Sequence, residues 1–330
     1  MSIQDDSLDV SVIICTRNRA EPLAGLLRSL TSLNRPKDLR WEVVVVDNGS
    51  SDSTPDVLQR FAGQLPLQHI REETPGLSNA RNRGVDVARG RYICWTDDDV
   101  EIDANWLNAY LEAFKRHPDA AVFGGQIEPK LEPPTPPWFA ELVGLWPLTD
   151  IVAARDFGAT PVELDFGKGI VPWGANFAVR AAEQRQHRYD PNLGVSPAQR
   201  RSGEEAQVMF EILQGAANGW WVPDSKVYHL SPPHRQSLEY FREHYTAIGE
   251  SKAYLDDTRA AHFMNRDGQA PRAIHTGATI LALRIAANTI LFRLFQSIGL
   301  TRRSLYHLRR LGLDSGVLAY KRTKADAPSL

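Results

Sequence analysis

The chain has 330 residues, 42% hydrophobic and 24% charged, with a formal net charge of −2. That size and balance exclude a disordered chain and allow one large domain with an appendage, or two modest domains. The only two cysteines, Cys15 and Cys94, both sit in apolar runs, which excludes a disulfide framework, argues against a cysteine-based zinc site and fits two buried thiols in a reducing compartment. Met1 to Val10 is polar and acidic, without the basic and apolar regions of a signal peptide, so cytoplasmic residence is expected. Charge is unevenly placed: residues 231–330 carry 15 Lys and Arg against 8 Asp and Glu, net +7, leaving −9 on residues 1–230. An acidic body with a basic tail is not the footprint of a nucleic-acid binder; it suggests a metal-using core and a tail near an anionic surface.

Val10 to Cys15 is a continuous apolar run, as in a strand buried on both faces. Leu23, Leu26, Leu27 and Leu30 follow at helical spacing within a helix over Ala20 to Leu33. Trp41 to Val46 is a second buried strand, and the turn Asp47 to Asp52 follows it. Thr54-Pro55 reads as an N-cap and a first-turn proline. Leu67 to Ile70 is a third strand, and Ser78 to Arg89 a helix stopped by Gly90 in the left-handed conformation. Tyr92 to Thr96 is a fourth strand running into Asp97-Asp98-Asp99, with a helix over Trp106 to Arg116 beyond. Glu128 to Pro137 is proline-dense and predicts a surface excursion. Ala181 to Gly203 reads as loop, Glu204 to Ala217 as helix, Trp220 to Leu230 as strand, and the last hundred residues as mostly helical.

Alternating strands and helices predict a parallel sheet with helices on both faces, binding ligands beyond the carboxyl ends of the strands. Thr16-Arg17, Asp47-Asn48 and Asp97 to Asp99 all fall at those ends. Three adjacent carboxylates repel one another, and a divalent cation with oxygen ligands relieves the cost. No protein cation is expected to replace it, so strict metal dependence follows.

The segments VSVIICTRNRAEPL, VVVVDNGSSDST, PGLSNARNRGVDVARG, WTDDDV, WGANFAVR, SGEEAQVMFEIL and VYHL, in this order, resemble the family 2 glycosyltransferases over about residues 10 to 235. The resemblance implies a GT-A fold (a Rossmann-like mixed, mostly parallel sheet with helices on both faces) over residues 1–235, with a helical extension over 236–330. It implies an inverting, metal-dependent transfer from a nucleotide-sugar donor to an acceptor hydroxyl. Thr16, Arg17, Asp47, Asn48, Arg81, Asp97 and Asp98 are then the donor-binding set, with Asp47 accepting from the nucleotide base. Asp99 coordinates Mn²⁺ or Mg²⁺, with Asp97 and His229 beside it; Asp98 can be registered either way and His234 competes with His229. Glu205 is the general base and Glu204 its reserve, although the second acid of this pair is more often Asp. Trp173, Gly174, Ala175 and Asn176 underlie the acceptor pocket, and Trp173, Trp220 and Trp221 are candidates for stacking on a sugar. UDP is the expected nucleotide, with GDP and dTDP open. The family's habits suggest glycan or lipid-linked acceptors in cell-surface polysaccharide or glycolipid assembly.

Two other classes share such a sheet. A nucleotidyltransferase usually opens with a glycine-rich basic loop after the first strand, whereas CTRNRAEP has no glycine. A non-catalytic binding protein would not need the full set of acids and His229. In the tail, Gly277 to Leu300 is apolar enough to span a bilayer by length, but it contains Arg284 and Arg293 and no acid. Each arginine would cost about 2.5–3.5 kcal/mol at the centre of a spanning helix. A helix lying on the inner surface of the plasma membrane fits better, and a buried or dimer-forming helix is the competing expectation.

Overall fold

The computed structural model describes residues 8–215, 217–258 and 275–326. Contacts divide the chain into two units: residues 1–130, 153–199 and 204–230 form the first, and residues 131–152, 200–203 and 231–330 the second. The expected cut between 235 and 236 does not assign 131–152 and 200–203 to the helical part; the contacts do.

The first unit holds β1 (Leu8–Thr16), α1 (Ala20–Thr31), β2 (Trp41–Asp47), α2 (Thr54–Phe61), β3 (Leu67–Arg71), α3 (Leu77–Val87), β4 (Gly90–Asp97), β5 (Val100–Ile102) and α4 (Trp106–Arg116). The strand β6 (Val122–Leu131) follows, then the short helices α5 (Pro137–Leu142) and α6 (Leu148–Ile151) of the second unit. The chain then returns with β7 (Asn176–Arg180), α7 (Ala181–Gln186), α8 (Glu204–Gln214) and β8 (Gly219–Ser231). The eight strands form one sheet in the order β3-β2-β1-β4-β7-β6-β8-β5. Strands β3, β2, β1 and β4 pair in parallel, while β4–β7, β6–β7 and β5–β8 are antiparallel. The sheet is mixed, as expected, but its parallel part is confined to the first four strands.

Why β1 reads as one apolar run is visible in its packing. Val10, Val12 and Ile14 enter one core with Leu23, Leu26, Leu27 and Leu30 of α1. Ile13 enters the other, with Ala80 and Val85 of α3 and Met209 of α8. Successive side chains alternate between faces, and both faces are covered. Each fully buried aliphatic side chain contributes about 1.5–3 kcal/mol of transfer free energy.

Three local expectations are corrected. Gly90 is not a left-handed helix stop; α3 ends at Val87, Ala88 caps it in an extended conformation, and Gly90 opens β4. Its requirement is spatial, since a Cβ there would lie 2.3 Å from the Ser11 amide nitrogen. The excursion begins later than Glu128, because β6 runs through Pro129 to Leu131. Ala181 to Gln186 is a short helix rather than loop.

In the second unit α9 (Leu238–Asp257), α10 (Ala278–Ser297) and α11 (Thr301–Ala325) account for the long helices. Helices α9 and α11 cross closely: a Cβ on Gly249 would lie 2.2 Å from the Leu313 carbonyl oxygen, and one on Gly316 2.0 Å from that of Thr246. Gly299, at φ +75°, turns α10 back along α11. There Arg284 pairs with Asp314 at 2.8 Å, and His307 stacks on Phe295 with its Nδ1 2.9 Å from the Asn288 side-chain oxygen. Arg284 thus has an acidic partner, supplied by the neighbouring helix rather than by its own stretch.

Candidate active site

The parallel register brings the polar strand ends to one edge: Thr16 is level with Asp47, and Cys15 with Asp97. Antiparallel pairing of β5 with β8 sets Val100 opposite His229, and the Leu230 amide donates to the Asp99 carbonyl at 3.0 Å. His229 therefore meets Asp99 across 130 residues of chain, its Nε2 3.5 Å from Asp99 Oδ1. One ligand atom each of Asp97, Asp99 and His229 lies within 4.8 Å of the others. Two carboxylates and an imidazole so placed fit a divalent cation of the Mn²⁺ or Mg²⁺ kind. The Asp97 side chain is 37% exposed, which leaves the cluster open on one side. His234 is exposed and belongs to the second unit.

Asp98 turns away from this cluster. It accepts from the Thr16 hydroxyl at 2.7 Å and pairs with Arg19 Nε at 2.9 Å. Burial, with Asp99 and Asp97 nearby, pushes its carboxyl up to about 7 against the pull of Arg19 and the Thr16 hydrogen bond. Arg19 also donates to Asp99 Oδ2 at 2.7 Å. The expectation that no protein cation reaches the acids is thus corrected: Arg19 neutralises part of the triplet. The sequence contained the signal, two arginines in the loop after β1, but not which would reach across 80 residues.

Arg81 is 4% exposed and links the two acidic groups. Its guanidinium lies 3.7 Å from Asp97, 3.3 Å from Glu204 and 3.8 Å from Glu205, and sits over the Trp95 and Tyr189 rings. Such enclosure by carboxylates raises its pKa, despite burial. Both glutamates open α8, where the helix dipole favours negative charge. Glu204 is buried, and burial together with the Glu205 charge pushes it up to about 8. Glu204 is thus enclosed against Arg81, at 3.3 Å, and less open to an incoming hydroxyl than its neighbour. The Glu205 side chain is more exposed, at 19%; its Oε2 is buried 3.8 Å from Arg81 Nη1 and accepts no hydrogen bond among the described residues.

The other expected positions divide. Asp47 is fully buried, its Oδ1 accepting from the Ser50 amide at 2.7 Å and its Oδ2 3.2 Å from Arg71, so it holds its own turn. Asn48 donates to the carbonyls of Glu72 and Thr74 and accepts from the Gly76 amide, bracing the following loop. Arg17 donates to the Asn48 carbonyl. Asn176 is spent inside: it accepts from Trp106 and Tyr110 and donates to the carbonyls of Gln126 and Ser225. With no exposure and four internal hydrogen bonds it leaves nothing for an acceptor, and Ala175 is buried as well. Gly174 adjoins the acids; a Cβ there would lie 2.9 Å from Arg81 Nη2 and 3.2 Å from Glu205 Oε1. Trp173 is half-buried beneath Arg155, 4.5 Å from its ring centre. Trp221 is fully buried and cannot stack on a sugar, whereas Trp220 is half-buried, stacks on His117 and lines a cavity of about 700 Å³ with Gln126, Asp156 and Asp224. Neither cysteine is a nucleophile: burial pushes Cys15 up to about 12 and Cys94 far above its usual value.

Comparison with known proteins agrees with this geometry. The family description "Glycosyl transferase family 2" matches residues 11–178. The succinoglycan biosynthesis protein ExoM of Rhizobium meliloti is 26% identical over 258 residues, 76% of either chain. A putative polypeptide N-acetylgalactosaminyltransferase 13 of Drosophila melanogaster is 34% identical over 140 residues, 39% of this chain and 24% of that one. Among solved structures, S. aureus TarS 1–349 superposes with a TM-score of 0.55 at 19% identity, covering 97% of this chain and 92% of that one. The mannosyltransferase PcManGT of Pyrobaculum calidifontis, solved with GDP-Man and Mn²⁺, gives 0.52 at 20% identity over 98% and 77%. With the mixed sheet, its flanking helices and the acidic strand end, these matches show that the chain belongs to glycosyltransferase family 2 and is a transferase of the GT-A fold.

Proposed function

We propose that the protein is a metal-dependent inverting glycosyltransferase that moves a sugar from a nucleoside-diphosphate donor, UDP-linked in the first instance, to an acceptor hydroxyl. The observation that carries this reading is the chain of charge Asp99–Asp97–Arg81–Glu205. It sets a cluster fit for a cation one arginine away from a carboxylate with an oxygen to spare.

Asp97, Asp99 and His229 would hold the cation, which when bound neutralises charge growing on the diphosphate. Arg19 and Thr16 hold Asp98 and, through Arg19, steady Asp99. Arg81 fixes the distance between Asp97 and the glutamates. Glu205 accepts the proton of the acceptor hydroxyl; that oxygen bonds to the anomeric carbon as the bond to the diphosphate breaks, and the nucleoside diphosphate leaves from the opposite face. Attack opposite the leaving group inverts the anomeric configuration. Gly174 keeps space beside Glu205. Trp173 and Trp220, the half-buried tryptophans of the original three, are the candidates for stacking on a sugar.

The PcManGT structure with GDP-Man and Mn²⁺ and a TarS structure with UDP-GlcNAc support a nucleotide-sugar donor and a divalent metal. ExoM, named for succinoglycan biosynthesis, supports a place in cell-surface polysaccharide or glycolipid assembly at the cytoplasmic face of the membrane, on a glycan or lipid-linked acceptor. A panel of UDP-, GDP- and dTDP-sugars with Mn²⁺ tests the reading by the nucleoside diphosphate released. One donor class should stand out; release of pyrophosphate from a sugar phosphate and a nucleoside triphosphate instead would overturn it.

A further inference from the structure

The second unit carries an apolar face that its own packing leaves open. Ile280, Leu283, Ile290, Leu294 and Ile298 are 55, 67, 66, 49 and 58% exposed. At 100° per residue they fall within an arc of about 80° at and just beyond α10. Leu281 and Asn288, on the opposite side of α10, are buried. The face is therefore not the side that α10 uses to pack on α11. A contiguous exposed strip of this kind on a helix marks a docking surface rather than scattered surface apolarity.

Helix α10 is long and apolar enough to cross a membrane, but the contacts argue against a crossing. Helix α11 runs back along it, joined by Arg284–Asp314 and by His307 to Asn288 and Phe295. A spanning α10 would draw α11, with Arg302, Arg303, Arg309 and Arg310, into hydrocarbon. The same ion pair removes the obstacle to a helix lying flat: Arg284 is satisfied within the hairpin.

Charge selects the occupant. The stretch from Arg284 to Lys324 contains nine basic residues and one acid, Asp314, which Arg284 engages, while Lys324 pairs with Asp257 of α9. A second copy would bring like charges together; an anionic surface complements them. The corner after α10 adds the composition of a membrane interface. Leu300, Tyr306 and Trp146 are 41, 43 and 52% exposed, Arg302 and Arg303 are exposed beside them, and Arg309 sits over the Trp146 ring at 4.8 Å. A cavity of about 870 Å³ at this corner is lined by Leu142, Leu145 and Leu300 together with Arg302, Arg303 and one acid, Glu141; two arginines against one glutamate still suit an acyl chain below an anionic headgroup.

We propose that the exposed face of α10 docks on an anionic lipid bilayer, lying in its surface with the α10–α11 corner at headgroup level. The docking does not depend on turnover. The test is flotation of the full-length protein with equimolar phosphatidylglycerol–phosphatidylcholine vesicles and with phosphatidylcholine alone, at low and high salt. Wild type should float with the anionic vesicles and be released by salt. L283E/I290E, both at exposed positions, should stay at the bottom with an unchanged circular dichroism spectrum. R302E/R303E should lower partitioning roughly 25-fold or more, at about fivefold per positive charge lost. Light scattering on the same proteins reads the alternative. A wild-type dimer that does not float and becomes monomeric in L283E/I290E assigns the face to a second copy and overturns the proposal. Flotation unchanged in L283E/I290E overturns it too.

Discussion

The two units of this chain treat apolar surface and charge in opposite ways. The first buries its aliphatic residues in two cores, one on each face of a sheet, and gathers acids at one edge, where Arg19 and the buried Arg81 answer them. The second is built of helices, with glycines at its tightest crossing, and leaves leucines and isoleucines in solvent near the exposed Arg302 and Arg303. A sheet covered on both sides can force charges together at its strand ends, because the backbone holds them there whatever they repel. Packing on α11 covers only one side of α10, and the other side stays in solvent. Chemistry is expected from the first arrangement and attachment from the second.

That division can be broken from either side. The largest effect is expected from the acids. Asp99→Ala removes a candidate cation ligand and should lower kcat/KM by about 10³-fold or more, several kcal/mol of stabilisation of developing charge. Chelation should abolish wild-type turnover, and Mn²⁺ or Mg²⁺ should restore it, while flotation with vesicles stays intact in both cases. Full activity in EDTA would mean that Arg19 and Arg81 supply the positive charge by themselves.

Next comes the base. Glu205→Gln should retain donor binding, measured by calorimetry with the nucleoside diphosphate, and lose turnover by a factor of about 10² or more. Glu204→Gln should cost less, since Glu204 is buried against Arg81 and pushed toward its protonated form. The reverse ranking would move the base to Glu204 and make Glu205 the partner that sets its charge.

The smallest effect is expected in the helical unit. Gly316→Ala puts a methyl 2.0 Å from the Thr246 carbonyl oxygen and forces α11 away from α9. A loss of about 1–3 kcal/mol is expected, read as a lower Tm. Donor turnover in solution should change little. An equal loss of turnover would mean that the two units do not work independently.

Much of the first unit was legible in the sequence. Apolar runs marked β1, β2, β3, β4 and β8 to within two residues, and the polar residues at their ends marked the edge of the site, because alternation and strand termination are local properties of the chain; β5, β6 and β7 were not anticipated. The family resemblance added the expectation of Asp99 beside His229, which the structure brings to 3.5 Å, and the expectation of a base at Glu205. The division of labour within the site was not legible. Asp47, Asn48 and Asn176 look like ligand-binding residues in the sequence, yet their hydrogen bonds go to their own turn, the next loop and the core. Arg19 was passed over for Arg17, although it is Arg19 that reaches Asp98 and Asp99.

By itself, then, the sequence determined the first four strands and their helices, the acidic strand end, the glutamate pair at a helix start and the apolar basic tail. Each is written in neighbouring residues, through side-chain period and local charge. Only the tertiary structure decided which cation answers which acid, that β5 and β8 pair so that His229 meets Asp99, and that Asp314 silences Arg284 and leaves the opposite face of α10 open. Those outcomes depend on partners 30 to 130 residues apart, whose meeting is fixed by strand order and helix packing rather than by any local preference.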